Sequence, residues 1–225
     1  MILVFDLDDT VYDEMSFVRS GYLAVSAYLE NKYAIQREFL FSLMMKRLSS
    51  KGRSNVFDHA LQHINQLSKN NIRECLSIYR LHKPDIHLNP EAVRCFKRFK
   101  DYPLYIVTDG NKIVQSNKIK ALGVEQYGIK AIPTHRYGLH SAKPSPSIFL
   151  KISKWENVSN DQIAYIGDNP NKDFVGIKPL GFKTIRIMKG AFKNISFSMY
   201  HEAHLKIKSL DELTVDLIKQ LINYN

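Results

Sequence analysis

Three carboxylates fall within four positions of "VFDLDDT", where Asp6, Asp8 and Asp9 follow directly on the apolar run Ile2-Leu3-Val4-Phe5. Asp and Thr favour turns and helix starts, which accounts for Asp9 and Thr10. It does not account for Asp6, the residue at which the apolar run stops. Carboxylates this close raise one another's pKa and repel unless a cation sits among them. A hard divalent ion such as Mg2+ is satisfied by one or two carboxylates with water and substrate phosphate. The residue types therefore point to metal-assisted chemistry at the carboxyl end of a buried strand.

Two further apolar runs stop at reactive residue types. "YPLYIVTDGN" ends at Thr108-Asp109, and "QIAYIGDNPNKD" runs into Asp168 and Asp173. Lys143, in "SAKPSPSIF", lies in a loop ahead of a helix. These features need a scaffold that brings strand ends together. Around them the apolar spacing predicts strands at 2–6, 104–108, 128–134, 162–168 and 181–188. Helices are expected over about 89–100, 111–122 and 145–155, with a terminal helix capped by Ser209. Between 16 and 81 the apolar residues recur at helical spacing with no convincing strand, so this stretch reads as a helical block. Alternating strands and helices imply an α/β fold, a Rossmann-like doubly wound parallel sheet, in which ligands bind beyond the carboxyl ends of the strands. The helical block interrupts that pattern after the first strand, as an insert.

In this order the four features resemble the haloacid dehalogenase superfamily, in its phosphatase branch. The first motif, Asp-x-Asp-x-Thr, is met by Asp6, Asp8 and Thr10, and the second by Thr108. The third is met by Lys143-Pro144, and the fourth by Gly167, Asp168 and Asp173. The resemblance implies a catalytic core at 1–13 and 88–225 and a helical cap domain at 14–87. It implies that Asp6 is the nucleophile, forming an aspartyl-phosphate, and that Asp8 is the acid and then the base. Thr108 and the backbone N–H groups of Asp109 and Gly110 would hold phosphoryl oxygens, and Lys143 would neutralise their charge. Asp6, the Asp8 carbonyl, Asp168 and Asp173 would surround Mg2+. Arg19, Arg53 and Asn55 in the cap, with Lys46 and Arg47, are candidates for contacting the leaving group.

Asp8 separates the branches, because a leaving halide needs no proton and a leaving alkoxide does. A Mg2+-dependent phosphatase of a small phosphorylated metabolite is the leading expectation. A phosphotransferase or phosphomutase using the same intermediate is the alternative enzyme, and a phosphate-binding regulatory module the non-catalytic one. The sequence does not choose between a sugar phosphate, a nucleotide and phosphoglycolate.

Composition sets the outer bounds. The 225 residues carry 32 Lys+Arg against 22 Asp+Glu, a net charge of +10 that invites anionic partners. These cations are spread along the chain, without the dense basic block of a nucleic-acid arm. No apolar run approaches the ~18 residues needed to span a bilayer. Cys75 and Cys95, the only cysteines, lack metal-type spacing and are expected to be reduced. A strand beginning at residue 1 or 2 leaves no room for a signal peptide, so a cytoplasmic protein is expected.

Overall fold

Strands buried on both faces are apolar throughout, and parallel sheets are built from such strands. The computed structural model, which describes residues 1–223, has this pattern. In chain order its elements are β1 (Ile2–Phe5), α1 (Glu14–Tyr33), α2 (Arg37–Lys51), α3 (Val56–His63), α4 (Lys69–Leu81) and α5 (Pro90–Arg98). There follow β2 (Leu104–Thr108), α6 (Lys112–Leu122), β3 (Lys130–Pro133), α7 (Ser147–Trp155), β4 (Ile163–Gly167), β5 (Lys183–Ile187), β6 (Leu205–Ile207) and α8 (Val215–Asn223). Short 3-10 turns fill several of the connections.

The sheet is six-stranded, in the order β3-β2-β1-β4-β5-β6, and every pairing is parallel. The chain works outward from β1 to β3, then returns to the other side of β1 with β4. The strand order reverses between β1 and β4, and such a switch point opens a crevice at the carboxyl ends. Ile2, Val4, Tyr105, Val107, Tyr165 and Phe174 pack on one face with Ile148, Phe149 and Ile152 of α7. Residues Met1–Glu14 and the chain from His87 onward make up this compact α/β unit.

Met15–Ile86 form a second compact unit, entirely helical. Its core joins Val18, Tyr22, Val25 and Leu29 of α1 to Leu40 and Met44 of α2, Phe57 and Leu61 of α3 and Cys75 of α4. Tyr22, Phe57 and Tyr79 pack ring against ring, with centroids 5.7 to 5.9 Å apart. No described helix is long and apolar enough to cross a membrane. Both cysteines are free thiols, buried.

Asn89 stands at the N-cap of α5, as the sequence suggests, though its side chain makes no cap bond. Its carbonyl accepts from Ala92 and Val93 instead, and Pro90 at the first helical position fixes the start. β6, only three residues long, is a strand that the sequence did not announce. The single terminal helix is in fact two pieces. Ser209 caps only the 3-10 turn Leu210–Glu212, in a reciprocal capping box with Glu212. Arg98 Nη1 donates to the carbonyls of Leu213, at 2.7 Å, and Leu210, at 3.4 Å. With those acceptors taken, the chain turns extended at Leu213 and α8 starts afresh, Thr214 Oγ1 accepting from the Leu217 N–H at 3.1 Å.

Candidate active site

β1, β2 and β4 are neighbours, so their carboxyl ends place Asp6, Thr108 and Asp168 along one edge of the sheet. The Asp6 N–H donates to the Ile166 carbonyl at 2.8 Å, which fixes the backbone of the first carboxylate against β4. Lys143 arrives from a loop that Asp109 fastens. The Asp109 carboxylate accepts from Thr134 Oγ1 at 2.7 Å and from the Lys143 N–H at 3.2 Å. The side chain of Asp109 thus ties the ends of β2 and β3 to the lysine loop. Gly110, at φ +125°, follows directly.

Lys143 Nζ lies among three buried oxygens: Asp6 Oδ1 at 2.5 Å, the Tyr165 hydroxyl at 2.7 Å and Asp173 Oδ1 at 2.8 Å. The Tyr165 hydroxyl donates to the same Asp173 oxygen at 3.0 Å. Asp173 Oδ2 accepts from the Asn169 N–H at 2.8 Å, so both of its oxygens are engaged. Burial alone would make the Lys143 ammonium easier to deprotonate; the carboxylates of Asp173 and Asp6 outweigh it and hold its pKa well above the usual lysine value.

Asp6, Asp168 and Asp173 each offer an oxygen within 4.8 Å of the others, and all three are buried. Burial pushes Asp6 up to about 6, with Lys143 opposing and Asp173 adding to the rise. Asp168 goes further, to about 9, through burial and the charges of Asp6, Asp173 and Asp9. An all-oxygen set of carboxylates fits a hard divalent cation and no soft one. Gly190, at φ +62°, lies against this set: a Cβ there would come within 2.6 Å of Asp9 Oδ2 and 2.9 Å of Asp168 Oδ2.

Asp8 faces a different environment. Its Oδ1 accepts from Lys118 Nζ at 2.6 Å and from the Tyr12 hydroxyl. Burial first, and then the Asp8 charge, push the Tyr12 hydroxyl far above its ordinary pKa. The Asp8 carboxylate is not part of the three-carboxylate cluster. Asp9 Oδ1 accepts from the Glu14 N–H at 3.0 Å, the start of α1, as a helix-opening aspartate does. Thr10 is fully buried, its N–H bonded to the Leu7 carbonyl at 3.4 Å. Thr108 Oγ1 donates to Gln115 Oε1 at 3.3 Å.

The structure thus brings together Asp6, Lys143, Asp168 and Asp173. Arg19, Lys46, Arg47, Arg53 and Asn55 belong to the helical unit. Asn55 there adopts a left-handed backbone (φ 54°) ahead of α3, without a side-chain cap bond. Sequence reasoning missed Lys118, Gln115, Tyr165 and Tyr12. A signal existed for the first two: Gln115 and Lys118 share the buried face of α6 with Ile119 and Leu122, and polar residues on the apolar stripe of a helix ask for an explanation.

Comparison with known proteins agrees with this geometry. The family described as haloacid dehalogenase-like hydrolase matches residues 1–181. Among curated proteins, the glyceraldehyde 3-phosphate phosphatase of Methanocaldococcus jannaschii is 29% identical, over 97% of both chains. That of Pyrococcus abyssi is 26% identical, over 100% of this chain and 94% of its own. A 2-haloacid dehalogenase from Pseudomonas syringae pv. Tomato shares the fold with a TM-score of 0.64 at 19% identity, over 97% of both chains. A HAD phosphatase from Thermococcus onnurineus does so with a TM-score of 0.58 at 23% identity, over 98% of this chain and 97% of its own.

Proposed function

The chain belongs to the haloacid dehalogenase-like hydrolases, and from that premise we propose that it is a Mg2+-dependent phosphatase of small phosphate esters. One observation carries the reading: Asp6, with its Oδ1 held by a buried lysine, stands two residues before a carboxylate, Asp8, that has its own separate donors. A nucleophile and an acid on one loop, in different environments, suit the cleavage of an ester whose alkoxide must be protonated. Carbon–halogen cleavage needs no such acid.

In this mechanism an Asp6 oxygen attacks phosphorus and the P–O bond to the alcohol breaks as Asp8 supplies its proton. Water then attacks the aspartyl-phosphate while Asp8 takes the proton back, releasing phosphate and free Asp6. Lys143 offsets the negative charge of the phosphoryl group beside the nucleophile. The Thr108 hydroxyl, turning its hydrogen from Gln115 Oε1 to the substrate, joins the N–H groups of Asp109 and Gly110 in receiving the phosphoryl oxygens. Mg2+, held by Asp6, Asp168 and the Asp8 carbonyl with Asp173 in support, would supply further charge neutralisation. Residues 14–87 are assigned the cap's part of recognising the leaving group, with Arg19, Arg53 and Asn55 offered as its contacts.

The similar proteins are named for glyceraldehyde 3-phosphate, so that three-carbon ester is the first substrate to try. Phosphate release from it and from p-nitrophenyl phosphate should require Mg2+, stop with EDTA, and fall by about four orders of magnitude in Asp6→Asn. Activity that survives in Asp6→Asn would overturn the covalent mechanism. Silence of the wild type on a panel of phosphorylated metabolites would leave only the binding module.

A further inference from the structure

Two donors from different parts of the α/β unit converge on one oxygen of Asp8. Lys118 reaches it from α6, 110 residues along the chain, at 2.6 Å. Tyr12 reaches it from the same loop, where Asp8 and Tyr12 form an isolated parallel bridge. Neither donor is a surface group: Lys118 is 3% exposed and Tyr12 is fully buried. The Lys118 ammonium also lies 5.9 Å from the centre of the Tyr12 ring. Burying an ammonium costs several kcal/mol of desolvation, and an apolar residue on the buried face of α6 would avoid that cost. Neither Lys118 nor Tyr12 is used by any step described above.

We propose that Lys118 and Tyr12 are positioning residues that clamp Asp8 through Oδ1, so that the proton given to the leaving group travels on Oδ2. This deepens the phosphatase reading and rests on it. A carboxyl group turns freely about its last bond and offers two oxygens. With Oδ1 accepting from both donors, the acidic hydrogen is confined to Oδ2. In the first step the Oδ2–H bond breaks and that hydrogen joins the ester oxygen as its bond to phosphorus breaks. In the second step Oδ2 takes a hydrogen from the attacking water, and the oxygen of that water joins phosphorus as the bond to Asp6 breaks. The proton ends where it began, and Oδ1 keeps both donors throughout.

The test uses leaving groups that differ in their need for a proton. Nitrophenolate departs as a stable anion, whereas the alkoxide of glyceraldehyde 3-phosphate must be protonated. In the full-length protein with Mg2+, Lys118→Met should lower kcat/KM on glyceraldehyde 3-phosphate by about a hundredfold, and on p-nitrophenyl phosphate by only about threefold. Tyr12→Phe, which keeps the ring and removes one oxygen, should show the same imbalance at smaller size. Lys118→Arg should recover part of the loss on the alkyl ester. In an Asp8→Asn background, Lys118→Met should cost nothing further, because the two residues act as one device.

Equal losses on the two esters, or full additivity with Asp8→Asn, would overturn the inference and leave Lys118 as a structural ion pair. Those results require an active wild type, so they are separable from failure of the phosphatase reading itself. If the wild type is silent on the whole panel of phosphorylated metabolites, both the reading and the clamp fall together.

Discussion

The α/β unit and the helical unit answer the problem of burial in opposite ways. Between residues 15 and 86 the buried polar side chain among the described residues is Ser26, which donates to the Tyr22 carbonyl one turn back. The rest of that interior is aliphatic and aromatic. The α/β unit buries Asp6, Lys118, Lys143, Asp168, Asp173 and Arg186. A buried ion pair rarely stabilises more than apolar side chains of the same volume would. The α/β unit therefore gains no stability from these charges that it could not have had more cheaply. Arg186, on β5, is engaged by Glu202 and by the carbonyls of Phe192 and Ile195. The others gather around the ends of β1, β2 and β4, which makes that edge the candidate site. The helical unit, by contrast, can be understood from packing alone.

That contrast can be broken at several points. The sharpest is Lys143→Met, which leaves Asp6 and Asp173 facing each other without the ammonium between them. Removing one partner from a buried pair costs about 3–5 kcal/mol, so the midpoint of denaturant unfolding should drop sharply, and phosphate release should fall with it. A variant as stable as the wild type would mean that the buried charges are better solvated than their surroundings imply. In the helical unit, Leu61→Ala removes a fully buried side chain from the core. It should cost about 2–4 kcal/mol from lost transfer energy and cavity alone, measured by the same unfolding experiment. A cost below about 1 kcal/mol would show that this core can collapse around the gap.

The smallest effect concerns His82, a half-buried titratable group of the helical unit. Its ring packs against Phe17 and Tyr79, with centroids 5.0 and 6.0 Å away. Its Nδ1 lies 2.7 Å from the Tyr79 carbonyl, while Nε2 is buried without a described partner. Burial lowers its pKa below 6.5, opposed by the bond to Tyr79. The unfolded chain then takes up a proton first, so stability is full above pH 6.5 and is lost as the pH falls below it. Between pH 7.5 and 5.5 the wild type should lose about 2 °C more in Tm than His82→Leu does. Parallel slopes for the two proteins would remove His82 from the account.

Much of this was legible in the sequence, for a physical reason. Parallel strands buried on both faces are short apolar runs, and an abrupt stop at Asp6, Thr108 or Asp168 is visible without coordinates. So was the extent of α6, expected over 111–122; the structure adds that the Asn111 side chain caps it, accepting from the N–H groups of Ile113 and Val114. The misses have a common origin in long-range contacts. The break before α8 is imposed by Arg98, 115 residues away from Leu213. Tyr165 looks like any aromatic strand residue until Lys143 and Asp173 meet at its hydroxyl. Lys118 reads as a solvated lysine in "KIKALG" until α6 turns it inward to Asp8. Local pattern finds the groups that end strands; it does not find the groups that other elements bring to them.

The strand order also sets when in its life the chain becomes competent. β1 is flanked by β2 and β4. A nascent chain that has not reached Ile163 can offer β1 only β2 of its two neighbours, which leaves the other edge unpaired. The Asp6 N–H then lacks the Ile166 carbonyl that anchors it. Asp168 and Asp173 have not yet been made, and Lys143 has Asp6 but no second carboxylate. Asp6 follows the first strand in sequence, yet its surroundings are complete only with β4, most of the chain later.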